Sequence, residues 1–91
     1  MIATQVQTLQ VTCVTTRFKS HDGGIASLGG PGWHAALRDV VLAIESGTHR
    51  FYTNSGGRIA WVRVLVGTSG KYVQTYADGV PTNNLLALNA C

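Results

Sequence analysis

The stretch that decides the fold class is residues 58–66, Arg-Ile-Ala-Trp-Val-Arg-Val-Leu-Val, which is rich in β-branched residues and therefore predicts a β-strand. Successive side chains of a strand point to opposite faces of its sheet. One face of this strand carries a uniformly apolar set, Ala60, Val62, Val64 and Val66. The other face carries Ile59, Trp61, Arg63 and Leu65. We therefore expect a helix to cover the first face and to leave the second uncovered.

That helix is predicted upstream, where the hydrophobic period changes from two to that of a helix. Apolar residues recur at helical spacing at Trp33, Leu37, Val40, Val41 and Ile44. Gly47 suits the left-handed residue that commonly ends a helix. The start is expected near His34 or Ala35, since no Ser, Thr, Asp or Asn stands there to mark it.

Glycine-containing turns divide the rest of the chain into short strands. Strands are predicted within residues 5–16 and 25–28 before the helix, and at 49–53, 58–66 and 71–77 after it. The turns between them fall at residues 21–24, 54–57 and 67–70, and Asp78-Gly79-Val80-Pro81 ends the last strand. The order β-β-α-β-β-β with short loops predicts an α+β fold, a small antiparallel β-sheet with one helix on one face.

Length and composition exclude two classes of protein. The 91 residues suffice for a single domain, 1–91. With 45% hydrophobic and 12% charged residues, the chain is too apolar for a disordered protein. No apolar run reaches the roughly 18 residues that span a bilayer, so no membrane partner is expected. The net charge of +3 comes from scattered cations, which indicates a mildly basic surface more than a nucleic-acid-binding stripe.

The N-terminus and the two cysteines bear on the compartment. Residues 1–10 show no secretory signal pattern, so a cytoplasmic location is the expectation. Cys13 and Cys91 are too few and too far apart for a disulfide framework or a zinc site. In a reducing cytosol they are most simply thiols, and whether they pair stays open at this point.

The residues contain no recognisable catalytic set. Three histidines, His21, His34 and His49, lack the i, i+4 spacing typical of a metal site, and the four acids are spread over separate elements. No Ser or Thr lies in a recognisable nucleophile turn. We therefore predict no enzyme activity, no metal and no cofactor.

A glycine-rich stretch ahead of the predicted helix is the first candidate ligand site. Gly29, Gly30 and Gly32 lead into Trp33, and free N–H groups at a helix start bind anions. Lys71 is expected to help. The alternative, which the residue pattern favours, is that these glycines form an ordinary loop, because no Lys-Ser or Lys-Thr pair follows them.

The second candidate comprises Asp78, Asn83 and Asn84, whose polar groups could recognise a nucleobase or ribose edge. The alternative is that these side chains bind the backbone of a long turn and hold the tail against the sheet. We favour this alternative slightly and expect Asn84 to assist Lys71 if an anion is bound.

The uncovered sheet face is the candidate interface. Trp61 and Arg63 lie on it, and we expect Tyr72 and Tyr76 to join them. Aromatic and Arg side chains are enriched at interface centres, so a homo-oligomer, most simply a dimer, is predicted with Trp61 central. Arg63 is a further ligand candidate if the ligand lies on the sheet.

Motifs spread over nearly the whole chain carry a family resemblance. They are Val11-Thr12-Cys13-Val14, Gly24-Ile25, Leu28-Gly29, Trp33, Ala43-Ile44-Glu45-Ser46-Gly47, Phe51-Tyr52, Lys71-Tyr72-Val73-Gln74-Thr75, Ala77-Asp78, Asn83-Asn84-Leu85-Leu86-Ala87-Leu88 and Cys91. In these the chain resembles the small bacterial and phage-borne domains known as domain of unknown function 3892. It departs at His34-Ala35-Ala36, where the family usually has a Ser or Thr, and at Leu88-Asn89-Ala90, where the family has Leu-Pro. The resemblance agrees with the predicted element order, and it transfers no catalytic residues to this chain.

Three function classes follow from these features. The first is a non-catalytic domain that binds an anionic small molecule, plausibly a nucleotide, by analogy of class with phage proteins that sequester immune-signal nucleotides. The second is a protein-interaction or self-assembly domain. Single-stranded nucleic-acid binding ranks third, because the charge is too diffuse for a basic groove.

Overall fold

The computed structural model describes residues 5–16, 24–68 and 70–91. The predicted turn at residues 21–24, with His21, therefore lies mostly outside the described residues. The elements in chain order are β1 (Gln7–Gln10), β2 (Cys13–Thr16), β3 (Ile25–Gly30), β4 (Trp33–Ala36), α1 (Leu37–Glu45), β5 (His49–Ser55), β6 (Arg58–Gly67), β7 (Gly70–Ala77), β8 (Val80–Thr82) and β9 (Asn89–Ala90).

The strands form two sheets. One has five strands in the order β1-β5-β6-β7-β8, and the other has four in the order β4-β3-β2-β9. Both are mixed, since β1 runs parallel to β5 and β9 parallel to β2 while the remaining pairs are antiparallel. The α+β class is confirmed, whereas the single antiparallel sheet with the order β-β-α-β-β-β is wrong.

The main cause of the difference is a change of sheet in the middle of the first predicted strand. The Val11 N–H donates to the Tyr52 carbonyl at 2.8 Å, and the next N–H, of Thr12, donates to the Gly29 carbonyl at 2.9 Å. These acceptors belong to β5 and β3, which lie in different sheets. One continuous stretch of residues 5–16 therefore supplies a strand to each sheet.

The helix begins later than predicted, at Leu37, and Ala36 at its N-cap makes no side-chain capping bond. Trp33–Ala36 is instead a strand, because Pro31 and Gly32 close a tight hairpin in which Gly30 pairs with Trp33. Gly32 supplies the positive φ of 77° that this turn requires. The predicted C-terminus is confirmed, with Glu45 as the last helical residue and Gly47 at a φ of 74°.

The hydrophobic core lies where α1 contacts both sheets. Buried side chains from the helix, both sheets and the tail meet there: Val11, Val14, Ile25, Leu28, Val40, Val41, Phe51, Val62, Val73 and Leu85. On β6 the predicted apolar face is confirmed for Ala60 and Val62, and Val64 is partly buried. Val66 does not meet the helix and is 79% exposed. Among the described residues, no helix is long and apolar enough to cross a membrane.

Cys13 and Cys91 form a disulfide, so their interpretation as two thiols is wrong for this structure. The tail returns beside β2, where Cys91 N–H donates to the Val14 carbonyl at 3.2 Å and the two cysteine Cα atoms lie 4.8 Å apart. A Cβ on Gly29 would lie 3.0 Å from Cys13 Sγ and 3.2 Å from Cys91 Sγ. The absence of a side chain at Gly29 thus leaves room for the disulfide.

Candidate ligand-binding face of the five-stranded sheet

The glycine-rich stretch is not a helix entrance. Gly29 and Gly30 are strand residues of β3, and Gly32 lies in the hairpin turn, five residues before the helix. A Cβ on Gly30 would overlap the Gln10 carbonyl oxygen and the Trp33 indole nitrogen, which itself donates to that oxygen at 3.0 Å. The physical basis of the predicted anion site, free N–H groups at a helix start, is therefore wrong. The absence of a side chain at Gly30 instead permits β3 to pack closely against Gln10 of β1.

Lys71 and Asn84 already have partners elsewhere. Lys71 Nζ donates to both carboxylate oxygens of Glu45, at 2.9 and 2.7 Å, at the C-terminal end of α1. Asn84 Nδ2 donates to Thr53 Oγ1 at 3.2 Å. This contact holds the tail against the sheet, which is the structural role that we favoured for Asn84 from the sequence. In the chain as described, no hydrogen bond or ion pair joins either residue to the β3–β4 hairpin.

Asp78 and Asn83 lie at two different turns of the chain. Asp78 has a positive φ of 53° in the exposed turn between β7 and β8, a conformation that Asp tolerates better than most residues. Asn83 is exposed, and its carbonyl accepts a bond from Ala87 N–H within the turns of the tail. The eight predicted ligand residues are thus distributed over separate parts of the fold.

The four predicted interface residues, in contrast, lie on one face of the five-stranded sheet. Trp61 pairs with Tyr76, Leu65 with Tyr72, and Arg63 alternates with Trp61 along β6. Val62, between Trp61 and Arg63, points into the core, so this face is opposite the helix. The same face carries two residues that the sequence reasoning missed, Arg50 and Tyr52 of β5. We call the six residues Arg50, Tyr52, Trp61, Arg63, Tyr72 and Tyr76 the aromatic–arginine face.

Both arginines of this face lie against rings. The guanidinium carbon of Arg50 lies 3.9 Å from the centroid of the Trp61 ring, and that of Arg63 lies 5.0 Å from the Tyr76 centroid. Tyr52 packs against Trp61 with centroids 5.7 Å apart and planes inclined by 56°. Cation–π attraction thus orients two guanidinium groups over one row of aromatic side chains.

The arginine charges have no carboxylate partner in the described part of the chain. Within residues 5–16, 24–68 and 70–91 the one ion pair is Lys71 with Glu45, so neither Arg50 nor Arg63 forms a salt bridge. Both side chains are exposed. Their N–H groups in the described structure are therefore available to an anion at the surface.

A slot of about 400 Å³ opens beside this face, between β5 and β6. The β5–β6 pairing runs from Ser55–Arg58 only to Tyr52–Trp61, whereas β6 remains paired with β7 as far as Gly67–Gly70. The slot lies where the pairing with β5 ends. It is lined by Val6, Ile44, Gly47, His49, Arg50, Trp61, Val62 and Arg63. We call this feature the β5–β6 slot.

The contribution of β5 could have been found from its own alternation. Phe51 and Thr53 are buried, so Arg50 and Tyr52 must lie on the opposite face. Residues 49–53 were predicted as a strand without this assignment of faces. The slot, however, has no local signal, because it arises where two strands diverge.

A serine and a histidine meet on the other sheet. Ser27 Oγ and His34 Nε2 are 3.1 Å apart, across β3 and β4. Within the described part of the chain, no carboxylate hydrogen-bonds His34, and Ser27 is only 8% exposed. The contact satisfies a buried hydroxyl and does not form the nucleophile–base–acid arrangement of a hydrolase.

Comparison with known proteins gives a match to a family model. The model of the family described as "Protein of unknown function (DUF3892)" matches residues 10–89. No curated protein and no solved structure matches the chain.

Proposed function

Because the chain belongs to the DUF3892 family, whose description assigns no activity, we propose a function from the geometry: a non-catalytic domain that binds an anionic, nucleotide-like ligand on the aromatic–arginine face. The observation that carries the proposal is the pair of guanidinium groups, of Arg50 and Arg63, held over aromatic rings with no carboxylate partner among the residues that the structure describes. Guanidinium groups bind phosphate, and nucleobases stack on guanidinium planes as well as on aromatic rings.

The proposal moves the ligand away from the β3–β4 hairpin. Arg63 was the alternative contact for a ligand on the sheet, and the neighbouring Arg50, Tyr52 and Trp61 now complete a surface around it. Lys71 has no part in this site, since it is bound to Glu45. Sequestration of a signalling nucleotide by a phage protein, in the cytoplasm, is the biological role that we propose for such binding.

A thermal-shift screen tests the proposal. Nucleotides, cyclic dinucleotides and short oligonucleotides are added to the parent protein, and a ligand at a hundredfold excess over its Kd stabilises the native state by about 2.7 kcal/mol. We expect a shift with a nucleotide class that is lost in Arg63→Ala and kept in Lys71→Ala, which removes a cation outside the face. If no member of the screen shifts the parent, the proposal is wrong.

A homo-dimer through the same face is the second candidate. Trp61 is half-buried at the centre of a surface with three tyrosines and two arginines, a composition typical of interface centres. Light scattering of the parent and of Trp61→Ala decides the matter: a dimer that becomes a monomer in the variant supports it. A parent that is monomeric at high concentration contradicts it.

Single-stranded nucleic acid is the third candidate, since two arginines beside a row of rings also suit a short run of stacked bases. Oligonucleotides in the same screen distinguish it. Affinity that increases with oligonucleotide length beyond two or three nucleotides supports this class, because a polymer would extend past the six residues of the face.

A further inference from the structure

The lining of the β5–β6 slot includes residues from both sides of the five-stranded sheet. Arg50, Trp61 and Arg63 in its lining belong to the aromatic–arginine face, whereas Val62 is a core residue and Ile44 belongs to α1. A cavity can contact residues of both faces where two neighbouring strands are no longer hydrogen-bonded to each other. The loss of β5–β6 pairing beyond Tyr52 and Trp61 provides such a place.

The outer rim of the slot suits an anion. Arg50 and Arg63 lie on neighbouring strands at the rim, and none of the lining residues that the structure describes is a carboxylate. Glu45, the acid nearest in sequence to the lining residue Ile44, is neutralised by Lys71. A phosphate group held by both guanidinium groups would make charge-assisted hydrogen bonds.

The inner end of the slot does not suit an anion. Ile44 lies in the last turn of α1, and the C-terminal end of a helix carries a partial negative charge. The Ile44 and Val62 side chains add apolar surface there. An uncharged ring fits this environment, whereas a phosphate would be repelled and desolvated.

From this polarity we infer that the slot admits a ligand ring first, with one anionic end left at the rim between Arg50 and Arg63. The ligand class is then a nucleoside 5′-monophosphate or a molecule of the same form, with one uncharged ring end and one phosphate end. The slot volume of about 400 Å³ is in the range of small-molecule sites. This inference rests on the proposed function and gives it a ligand orientation.

Isothermal titration calorimetry with three kinds of probe tests the orientation. The probes are the four common ribonucleoside 5′-monophosphates, the corresponding nucleosides, and inorganic phosphate. We expect one monophosphate or more to bind, and to bind more tightly than its nucleoside and than phosphate alone, since each of these lacks one half of the ligand. Affinity should fall as salt rises, because the rim is exposed.

Two matched pairs of variants locate the ligand. Val6→Phe places a larger side chain in the slot lining, and Val80→Phe makes the same change on β8, outside the lining; both valines are exposed, at 46% and 61%. Arg63→Gln removes a rim charge, and Arg58→Gln removes an exposed charge of β6 outside the lining. We expect Val6→Phe and Arg63→Gln each to weaken monophosphate binding about tenfold or more, with both controls equal to the parent.

Each other outcome decides against the inference in a distinct way. Monophosphate binding that survives Val6→Phe but is lost in Arg63→Gln places the ligand on the face alone, so that the slot is wrong and the proposed function stands. If a cyclic dinucleotide or an oligonucleotide binds and no monophosphate does, the slot inference is also wrong and the proposed function also stands. If none of the probes or the ligands of the screen binds, both are wrong. Melting temperatures within a few degrees of the parent verify that each variant is folded.

Discussion

Arg50 and Trp61, on the adjacent strands β5 and β6, form a cation–π pair in which the guanidinium carbon lies 3.9 Å from the centroid of the ring. The pair fixes an exposed charge at the rim of the β5–β6 slot. A guanidinium held in this way loses less side-chain entropy when it binds an anion. Under the proposed function, the contact that stabilises the face would therefore also favour anion binding.

The first prediction concerns this pair. Arg50→Ala should lower the free energy of unfolding by about 0.5–1 kcal/mol, the usual contribution of an exposed cation–π contact. Urea denaturation measures the change. Arg58→Ala, also an exposed arginine of the same sheet, is the control and should change stability by less. Equal effects of the two substitutions would show that the Trp61 contact contributes nothing.

The faces of β6 could be predicted because side-chain alternation is a local property of a strand. The alternation within residues 58–66 therefore assigned Val62 correctly to the core face, and Trp61 and Arg63 to the opposite face. The same rule also predicted that Val66 contacts the helix. This prediction was wrong, because Val66 lies beyond the part of the sheet that the nine-residue helix covers. The extent of a packed face depends on the element that covers it, and the strand pattern alone does not contain that information.

The features that could not be predicted depend on distant partners. The split between β1 and β2 is set by the carbonyls of Tyr52 and Gly29, which accept from Val11 and Thr12. The hairpin that replaces the helix start depends on pairing of Trp33–Ala36 with β3. Nothing in residues 5–16 or 29–36 by themselves distinguishes these outcomes from one long strand and an earlier helix.

The second prediction tests the core face of β6. Val62→Asp should unfold the domain, because Val62 is 7% exposed and an unpaired buried carboxylate costs several kcal/mol. Val66→Asp is the matched control on the same strand and should melt within a few degrees of the parent, since Val66 is 79% exposed. Circular dichroism melts measure both. A stable Val62→Asp variant would mean that the facing of β6 is assigned wrongly.

The third prediction concerns the close approach of Gly30 to Gln10. Gly30→Ala should destabilise the domain by about 1–3 kcal/mol or more, because the added Cβ overlaps a backbone carbonyl that cannot move independently of β1. Trp33→Phe, which removes the hydrogen bond to Gln10 and part of the ring that packs on Phe51, should cost about 1–2 kcal/mol. Guanidinium denaturation compares the two. If Gly30→Ala is neutral, the crossing of β3 and β1 is looser than described.

The last prediction concerns the disulfide. Cys13 and Cys91 are 78 residues apart, and in the chain-entropy model a loop of that length gives about 4.5 kcal/mol of stabilisation. Cys91→Ser should therefore lower the free energy of unfolding by about 2–5 kcal/mol, and reduction of the parent should have a similar effect.

Denaturation of oxidised and reduced protein measures this effect, with thiol titration to count free cysteines. Gly29→Ala is the companion variant, because its Cβ would lie 3.0 Å from Cys13 Sγ and 3.2 Å from Cys91 Sγ. It should destabilise the oxidised protein more than the reduced one, since free thiol side chains can move away. Two titratable thiols in the native protein, purified without reductant, would contradict the disulfide and restore the interpretation that suits a reducing cytosol.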